Sequence, residues 1–374
     1  MSAAKCQLNE AELKLLKEKQ ARGVTVVGID LAARVIQVCY LQKNGTLYNK
    51  PKTREEFIKF LEEPPFTGKI LAGIEACGSC NFWARKIKAL GHDCKVMPAF
   101  QIKAFLSLDT KTDKVDALAI LRAVMSVSIK EIGIRDEKNQ VLMQLLTVRE
   151  QLMKQKVQIQ NARRAVLYEL GEVCSLGENA IDECAQKLLV SLEKSKSEVL
   201  SEFSSCDAVA KANLNNVNTQ LNTIEKHLTD FAKNDPVCQN LITIPGIALL
   251  SAAAVLRIVM GDPNDYPDSR HFAAFVGFAP KVTGSGGKVS VGGTRKSGNR
   301  ILKRVLYMCA IVRYGQTKKH DPERTSKVAT LIDNEDVSNK RIVCSIANRM
   351  ARVAWTLAKH GEKFDGKKCR LLGL

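Results

Sequence analysis

The chain lacks the two features that direct a protein into or across a membrane. No run approaches the roughly 20 continuous apolar residues that a membrane-spanning helix needs. The first 20 residues are polar and rich in lysine, without the apolar core of a secretory signal. We therefore expect a cytoplasmic protein that has no membrane among its partners.

The sequence also lacks the repeated cysteine spacing of a zinc site. Its twelve cysteines are scattered, and Cys77-Gly-Ser-Cys80 is the one C-x-x-C motif, with no second such motif and no paired histidines three to five residues apart. This pattern argues against structural zinc. In a reducing compartment the thiols are expected to stay free, and this motif is typical of a strand-to-helix turn.

What the chain has in excess is positive charge. At 374 residues, with 45% hydrophobic and 26% charged residues, it is long enough for two or three globular domains, and its formal charge is +18. From residue 281 onward there are 21 Lys and Arg against 7 Asp and Glu. This bias predicts a DNA or RNA partner bound with strong salt dependence. A merely soluble basic surface is the alternative, but the nearby Gly-rich segment favours nucleic acid.

Residues 24–126 alternate between strand and helix patterns. Two apolar strands and a turn at Asn44-Gly45 predict a hairpin that comes first, and strand–helix alternation follows. The predicted strands are 24–29, 35–41, 46–49, 70–74 and 94–97, and the predicted helices are 53–61, 81–90 and 113–124. This order is typical of a ribonuclease-H-like sheet.

Four acidic residues stand in distinctive positions in this region. Asp30 and Glu75 each end an apolar strand, and Asp113 and Asp116 lie three apart on one face of a helix. Four carboxylates in one pocket would repel one another unless cations neutralised them. Mg²⁺ prefers such oxygen ligands and leaves positions open for phosphate oxygens. A solvated surface position, or a helix cap at Asp113 after Thr112, is the alternative for any single acid.

Residues 136–233 contain no proline and only two glycines. Apolar residues at heptad-like spacing predict a long helix, and a second helix over about 187–233 would complete a hairpin. Arg149, Lys156 and Arg163 fall seven apart on the apolar stripe. They are either polar specificity residues of a coiled coil or a stripe that contacts a phosphate backbone, and the spacing does not separate the two.

The C-terminal third combines a turn motif with a Gly-rich segment. Residues 241–247, with Pro245-Gly246 followed by a helix, resemble a helix-hairpin-helix element, although Ala248 replaces its usual second glycine. The span 284–300 is predicted to be loop, and helices are predicted near 299–314 and 338–359. Ser285 lies between two glycines there and would need activation to act as a nucleophile, so a simple turn is the alternative. The cations placed to bind a phosphate are Lys288, Arg295, Lys296 and Arg300.

These motifs in this order resemble the DEDD transposases of bacterial insertion sequences, the family numbered one hundred and ten with its eleven-eleven subgroup. The resemblance extends from Val26 to about Lys359. The matching segments include 27–30, 73–78, 111–117, 148–152, 244–247, 275–280, 285–288 and 296–300. Some members are bridge-RNA-guided recombinases.

The resemblance implies a fold that is α/β plus α. Four segments are expected: a polar N-terminal arm (1–22), a RuvC-like ribonuclease-H-fold DEDD catalytic domain (23–130), a helical coiled-coil insertion (131–236) and a smaller, mostly helical transposase domain with a Gly-rich catalytic loop (237–374). It also implies that Asp30, Glu75, Asp113 and Asp116 bind Mg²⁺, or Mn²⁺ in its place, and that Ser285 forms a covalent phosphoserine link to DNA.

The implied partners are donor and target DNA, a structured non-coding guide RNA, and further copies of the chain in a dimer or a synaptic tetramer. The protein would associate with the nucleoid when active. Family members often have two serines before Gly-Gly-Lys, whereas Gly284 stands first here, so Thr283 and Ser290 are rival nucleophiles. A RuvC-like, metal-dependent junction nuclease that hydrolyses DNA without a covalent intermediate is the alternative function. A non-enzymatic nucleic-acid-binding protein with structural acids is a third.

Overall fold

The computed structural model describes residues 8–106, 112–285, 287–294, 297–320, 332 and 338–366. The chain divides into two units, Met1–Gln140 and Val141–Leu374. Within the described ranges, no helix is long and apolar enough to cross a membrane.

The first unit is built around a five-stranded mixed sheet with the strand order β3-β2-β1-β4-β5. Strand β1 pairs antiparallel with β2 and parallel with β4, and β2 pairs antiparallel with β3. These pairings confirm the predicted hairpin at Asn44-Gly45 and the strand–helix alternation after it. The strands are β1 (Val24–Leu31), β2 (Val35–Leu41), β3 (Leu47–Thr53), β4 (Lys69–Glu75) and β5 (Asp93–Met97). The helices of this unit are α1 (Glu10–Ala21), α2 (Arg54–Glu62), α3 (Cys80–Ala89), α4 (Ala99–Ile102) and α5 (Asp113–Met125).

Alternating side chains on these strands build two separate cores. Val27 and Ile29 point to the face covered by α2 and α3, where Phe57 and Trp83 are fully buried. Val26 points to the opposite face, which is covered by α1 and α5. Strands covered on both faces are continuous hydrophobic runs, and this is why residues 24–29 lack polar alternation.

The N-terminal segment differs from the polar arm expected for residues 1–22. Residues Glu10–Ala21 form helix α1, which begins with a capping box between Asn9 and Glu12. Leu16 is buried against the sheet, and Glu12 accepts a hydrogen bond of 2.8 Å from Arg122 Nε of α5. A single buried leucine in a lysine-rich helix gives almost no amphipathic pattern, so the sequence did not indicate the docking.

Long helices open the second unit, as the scarcity of proline and glycine predicts. They are α6 (Glu137–Glu169), which begins just before the border of the two units, α7 (Glu178–Lys194) and α8 (Leu200–Asn234). The single second helix predicted over 187–233 is wrong, because the chain breaks between α7 and α8. Lys196 adopts a left-handed conformation with φ 51°, and Ser197 N–H donates to the carbonyl of Leu192. These features form a Schellman motif in which lysine occupies the position where glycine is usual.

The rest of the second unit packs around two C-terminal helices. Its elements are α9 (Pro236–Leu241), α10 (Leu250–Met260), α11 (Ser269–Val276), β6 (Pro280–Ser285), β7 (Lys288–Thr294), α12 (Arg300–His320) and α13 (Asn339–His360). Residues of α6 and α8, among them Leu152 and Leu228, share one core with α10, α12 and α13. The packing is therefore continuous across residue 236, where the sequence predicts a domain border.

Candidate functional site

The four acids predicted as a metal-binding set lie at one edge of the first unit's sheet. Asp30 is near the end of β1 and Glu75 ends the parallel neighbour β4, while Asp113 and Asp116 occupy the first turn of α5. Helix α5 is capped by Thr112, whose hydroxyl accepts from Val115 N–H. Because Thr112 performs the capping, the alternative role of Asp113 as a helix cap is contradicted.

Two glycines bring the acids together. Gly28 and Gly73 are paired in the register of β1 and β4, and each stands two residues before its acid, on the same face of the sheet. A Cβ on Gly28 would lie 2.3 Å from the carbonyl oxygen of Ala117 on α5, and one on Gly73 would lie 2.9 Å from Val124 Cβ. Without these glycines α5 could not pack so close to the strands that carry Asp30 and Glu75.

The electrostatics of Asp30 reflect this crowding. Burial raises its pKa from 3.8 to about 6, and the negative charges of Asp116, Asp113 and Glu75 contribute to that rise. All three of the other acids therefore lie within range of charge repulsion from Asp30. A pocket of this kind stabilises a bound cation, because the cation relieves the repulsion among the carboxylates.

The side chains of the four acids do not form a complete metal-ligand shell in this structure. Among the residues described, no three His, Cys, Asp or Glu side chains converge closely enough to hold a metal ion. This absence is compatible with the charge repulsion at Asp30, because repulsion between carboxylates extends well beyond the roughly 2.0–2.1 Å of a magnesium–oxygen bond. The donor atoms are all carboxylate oxygens, which are the ligands that a hard divalent cation prefers. The side chains of the four acids would have to rotate toward one another to bind it.

The segment that carries Ser285 forms a β-hairpin, whereas the sequence predicts a Gly-rich loop. Strands β6 and β7 pair antiparallel, with Ser285 opposite Lys288 and Thr283 opposite Ser290. Ser285 is thus the last residue of β6, directly before the turn in which Gly287 has φ +78°. Lys288, Thr283 and Ser290 are exposed. The alternation Lys288-Val-Ser-Val was the signal for β7, and the surrounding glycines obscured it.

A second pair of glycines fixes the helix that follows the hairpin. A Cβ on Gly298 would lie 2.6 Å from Gly277 Cα, so the two backbones touch, and both glycines have positive φ. Asn299 then caps α12 by accepting from Leu302 N–H. This contact places exposed Arg300 at the first turn of α12. Two further predicted phosphate-binding cations, Arg295 and Lys296, lie outside the described residues.

The cationic stripe on α6 is used inside the protein. Arg163 is buried and forms 2.8 Å ion pairs with Asp207 of α8 and Asp182 of α7. Burial lowers the pKa of Arg163, but its hydrogen bonds to Asp207 and Asp182 outweigh that effect, so the pKa is raised. The phosphate-contact interpretation of Arg163 is therefore wrong, because its guanidinium is enclosed and neutralised.

The other two members of the stripe also have partners on neighbouring helices. Arg149 pairs with Glu225 at 2.6 Å, and Lys156 bonds to Asn218 at 2.8 Å and to Glu178 at 3.0 Å. Successive contacts of α6 with α8 run in opposite directions along the two helices, so the helices are antiparallel. These contacts favour the role of polar specificity residues in helix pairing over the alternative role in phosphate binding.

The Pro245-Gly246 turn lies between α9 and α10, where the helix-hairpin-helix element was predicted. Gly246 has φ +97°, and a Cβ there would lie 2.7 Å from the carbonyl oxygen of Cys309 on α12. Ile247 N–H donates to Ile244 within the turn. That donor is consequently engaged in the protein, while Ala248 and Leu249 are exposed beside it.

Sequence reasoning missed a basic cleft in the second unit. Helix α13 presents Lys340, Arg341, Arg349 and Arg352 to a cleft of about 530 Å³ beside the base of the hairpin. Positions 341, 345, 348 and 352 recur every three to four residues, which is the signal that places them on one helix face. The pattern was obscured because apolar residues of the same helix carry a stronger periodicity.

Comparisons with known proteins agree with the motifs. The profile of the Transposase IS116/IS110/IS902 family matches residues 238–325, and that of the DEDD IS110 transposases matches residues 27–171. The transposase for insertion sequence element IS1328 of Yersinia enterocolitica is 30% identical over 355 residues, which cover 91% of this chain and 99% of that protein. The transposase for insertion sequence element IS1111A of Coxiella burnetii is 24% identical, with 93% of each chain covered.

The matched regions include both sites described above. The DEDD profile spans Asp30, Glu75, Asp113 and Asp116, and the second profile spans the hairpin and the start of α12. DEDD transposases are in general dependent on divalent metal ions. The chain belongs to the IS110-type transposases, enzymes that cut and rejoin DNA.

Proposed function

We propose that this transposase exchanges DNA strands through a covalent link to Ser285, with Mg²⁺ held by Asp30, Glu75, Asp113 and Asp116. The observation that carries the proposal is the placement of the four acids at one edge of the sheet, on the adjacent parallel strands β1 and β4 and in the first turn of α5. The raised pKa of Asp30 supports it, because a bound cation would relieve the repulsion that the other three acids exert on this carboxylate.

A bound Mg²⁺ would neutralise charge on the phosphate and on the oxygens that attack and leave it. The protein's own part is to hold the carboxylates on rigid elements. Gly28 and Gly73 permit the close packing of α5 that does this. Asp30 must lose its proton before it can bind the cation, so protons compete with the cation for this carboxylate, most strongly below about pH 6.

In the covalent step, the Ser285 hydroxyl oxygen attacks the scissile phosphorus after losing its proton. The bond between phosphorus and the leaving DNA oxygen breaks, that oxygen takes a proton, and a phosphoserine diester forms. A hydroxyl of the exchanged strand then attacks the same phosphorus and releases serine, so the number of phosphodiester bonds is conserved. Lys288, opposite Ser285 in the hairpin register, and Arg300 would bind the phosphate. Arg295 and Lys296 are proposed for the same role.

The partners of the reaction follow from the resemblance. Donor and target DNA would be chosen by base pairing with a structured non-coding RNA, while the protein contacts backbone and shape. A homo-oligomer would assemble the synaptic complex. The excess of 14 positive charges after residue 280 suits such polyanionic partners.

The experiment uses purified protein, the RNA encoded at the element's flank, and labelled donor and target DNA with Mg²⁺, followed by denaturing gels. We expect a protein-linked DNA band with the wild type that disappears in Ser285→Ala and in Asp30→Asn. Thr283→Ala and Ser290→Ala are matched controls from the same hairpin and should retain the band.

Each departure from that result has a defined meaning. Cleaved DNA without a linked band, unchanged in Ser285→Ala, would establish a junction nuclease that hydrolyses DNA. A linked band that persists without RNA would contradict guidance by RNA. A linked band that persists in Asp30→Asn would contradict the metal-binding role of the four acids (called the tetrad below).

A further inference from the structure

The basic cleft of the second unit lies between α13 and the base of the β6–β7 hairpin. On the helix side, four of the seven lining residues are cationic, and on the hairpin side the lining is Pro280 and residues 292–294. A Cβ on Gly293 would meet no atom within 4 Å, so the backbone of β7 is accessible from the cleft. None of the described residues that line the cleft is acidic.

The surroundings of the cleft cations differ from those of Arg149, Lys156 and Arg163 on α6, which are paired with carboxylates of neighbouring helices. Arg349 Nη1 and Arg352 Nε are buried nitrogen atoms without a hydrogen-bond partner. In the part of the chain that the structure describes, no carboxylate forms an ion pair with Lys340, Arg341, Arg349 or Arg352. Unsatisfied buried donors are costly, and an anion with several acceptor oxygens would satisfy them.

The electrostatics of the two arginines support the same conclusion. Burial lowers the pKa of Arg349, and the nearby positive charge of Arg352 lowers it further. Two guanidinium groups that repel each other in a partly desolvated cleft favour a ligand with negative charge. Their planar donor arrangement matches the oxygens of a phosphodiester.

We propose that this cleft binds the sugar-phosphate backbone of DNA about five nucleotides from the phosphate that the transposase cuts. The distance follows from β6, whose six residues run from Pro280 at the cleft to Ser285 and span ~17 Å at about 3.4 Å per residue. One strand of DNA advances ~3.4 Å per nucleotide along the helix axis. The location of the cut rests on the proposed role of Ser285, whereas backbone binding by the cleft does not.

The first experiment measures DNA binding in EDTA, where no cutting occurs. Full-length protein is titrated against a fluorescein-labelled DNA duplex of about 30 base pairs and arbitrary sequence, because phosphate contacts weaken binding uniformly across sequences when lost. The double variant Arg349→Gln/Arg352→Gln should lower affinity on the order of tens-fold at about 0.1 M salt. It should also reduce the slope of log K against log salt by about two.

The matched control is Lys359→Gln, which removes one positive charge from the same helix outside the cleft and should leave the affinity within about twofold. Thermal unfolding of the double variant distinguishes lost contacts from lost folding. Because the substitutions remove repulsion and unsatisfied donors, the midpoint should stay equal or rise.

Unchanged affinity and an unchanged salt slope in the double variant would overturn the proposal. Weakened binding of an RNA duplex of the same length, with DNA binding unchanged, would overturn the assignment to DNA and identify an RNA site. Failure to detect a Ser285 adduct would not affect either readout.

A second experiment tests the distance between the cleft's contact and the cut. On a DNA that the wild type cuts, phosphate ethylation should interfere with binding about five nucleotides from the cut. Interference at other phosphates only would overturn the proposed distance of about five nucleotides.

Discussion

Asp30 departs furthest from the ordinary chemistry of its residue type among the acids described. Its pKa of about 6 lies above the usual 3.8 because burial and three neighbouring carboxylates oppose its ionisation. Between these two pH values the folded protein holds a proton that the unfolded chain has released. The free energy of unfolding therefore falls as pH rises through this window, and ionised Asp30 destabilises the fold above about pH 6.

Asp30→Asn should consequently stabilise the protein while it abolishes DNA cutting. In EDTA at about pH 7.5 we expect the free energy of unfolding to rise by about 1 kcal/mol, a value reduced for the partial exposure of the carboxylate. At about pH 4 the difference from wild type should vanish, because Asp30 is then protonated in the folded state. Thermal unfolding at the two pH values is the measurement. Asp93→Asn, at an exposed position of β5, is the control, and a lower midpoint for Asp30→Asn at the higher pH would contradict this interpretation of the acids.

Arg163 illustrates a charge that supports the fold. Its replacement by methionine should leave Asp207, whose side chain is 13% exposed, without its cation. Breaking a buried pair from one side costs roughly 3–5 kcal/mol, whereas Arg149→Met, with both partners partly exposed, should cost at most about 1 kcal/mol. Urea unfolding checks both values. A stable Arg163→Met protein with weakened DNA binding would restore the phosphate-contact interpretation.

At the level of single residues, the acids were recognisable from the sequence because each ends a strand or begins a helix. The partners of Arg163 were not, since Asp182 and Asp207 lie on helices whose pairing register depends on tertiary packing. Nor could the sequence identify the glycines that set the distance between α5 and the sheet, because a glycine within a strand is equally typical of a bulge or a bend.

Among the helices and strands, the packing of α5 on β1 determines whether the tetrad exists. Gly28→Ala would place a methyl group 2.3 Å from the backbone of Ala117 and 2.5 Å from that of Leu121. Backbone atoms cannot yield as a flexible side chain does, so we expect a loss of about 3 kcal/mol and loss of DNA cutting. Gly78→Ala, where the added Cβ meets nothing within 4 Å, should change neither. Thermal unfolding and cutting assays test the pair, and a fully active Gly28→Ala protein would contradict this packing argument.

Element boundaries were predictable where local chemistry decides them. Helix α2, predicted over 53–61, begins with a capping box between Thr53 and Glu56, whose spacing is legible in the sequence. The sequence failed at α1, at the break between α7 and α8, and at the hairpin of Ser285. The features that decide these elements are, in the same order, one buried leucine, a lysine in a left-handed conformation and backbone pairing among glycines. The first two features leave no periodic pattern, and the alternation of residues 288–291 in the hairpin is obscured by the glycines around it.

At the scale of the whole molecule, the described cations of α6 and α13 serve two different uses. The stripe cations Arg149, Lys156 and Arg163 of α6 are neutralised by carboxylates on α7 and α8, whereas the cleft cations of α13 face a described lining that has no acid. Net charge alone predicted a nucleic-acid partner but could not assign these uses, because assignment requires the three-dimensional neighbours of each side chain. The division of the chain into functional segments is likewise still a prediction, since one core joins the long helices to the C-terminal elements.

The most direct test of the serine mechanism is to locate the protein–DNA link by mass spectrometry. Adducts formed with Mg²⁺, guide RNA and DNA would be digested with nuclease and protease, and the modified peptide sequenced. We expect a nucleotide attached through phosphate to Ser285. Attachment at Thr283 or Ser290, or an unmodified peptide from a reaction that cut its DNA, would contradict the mechanism.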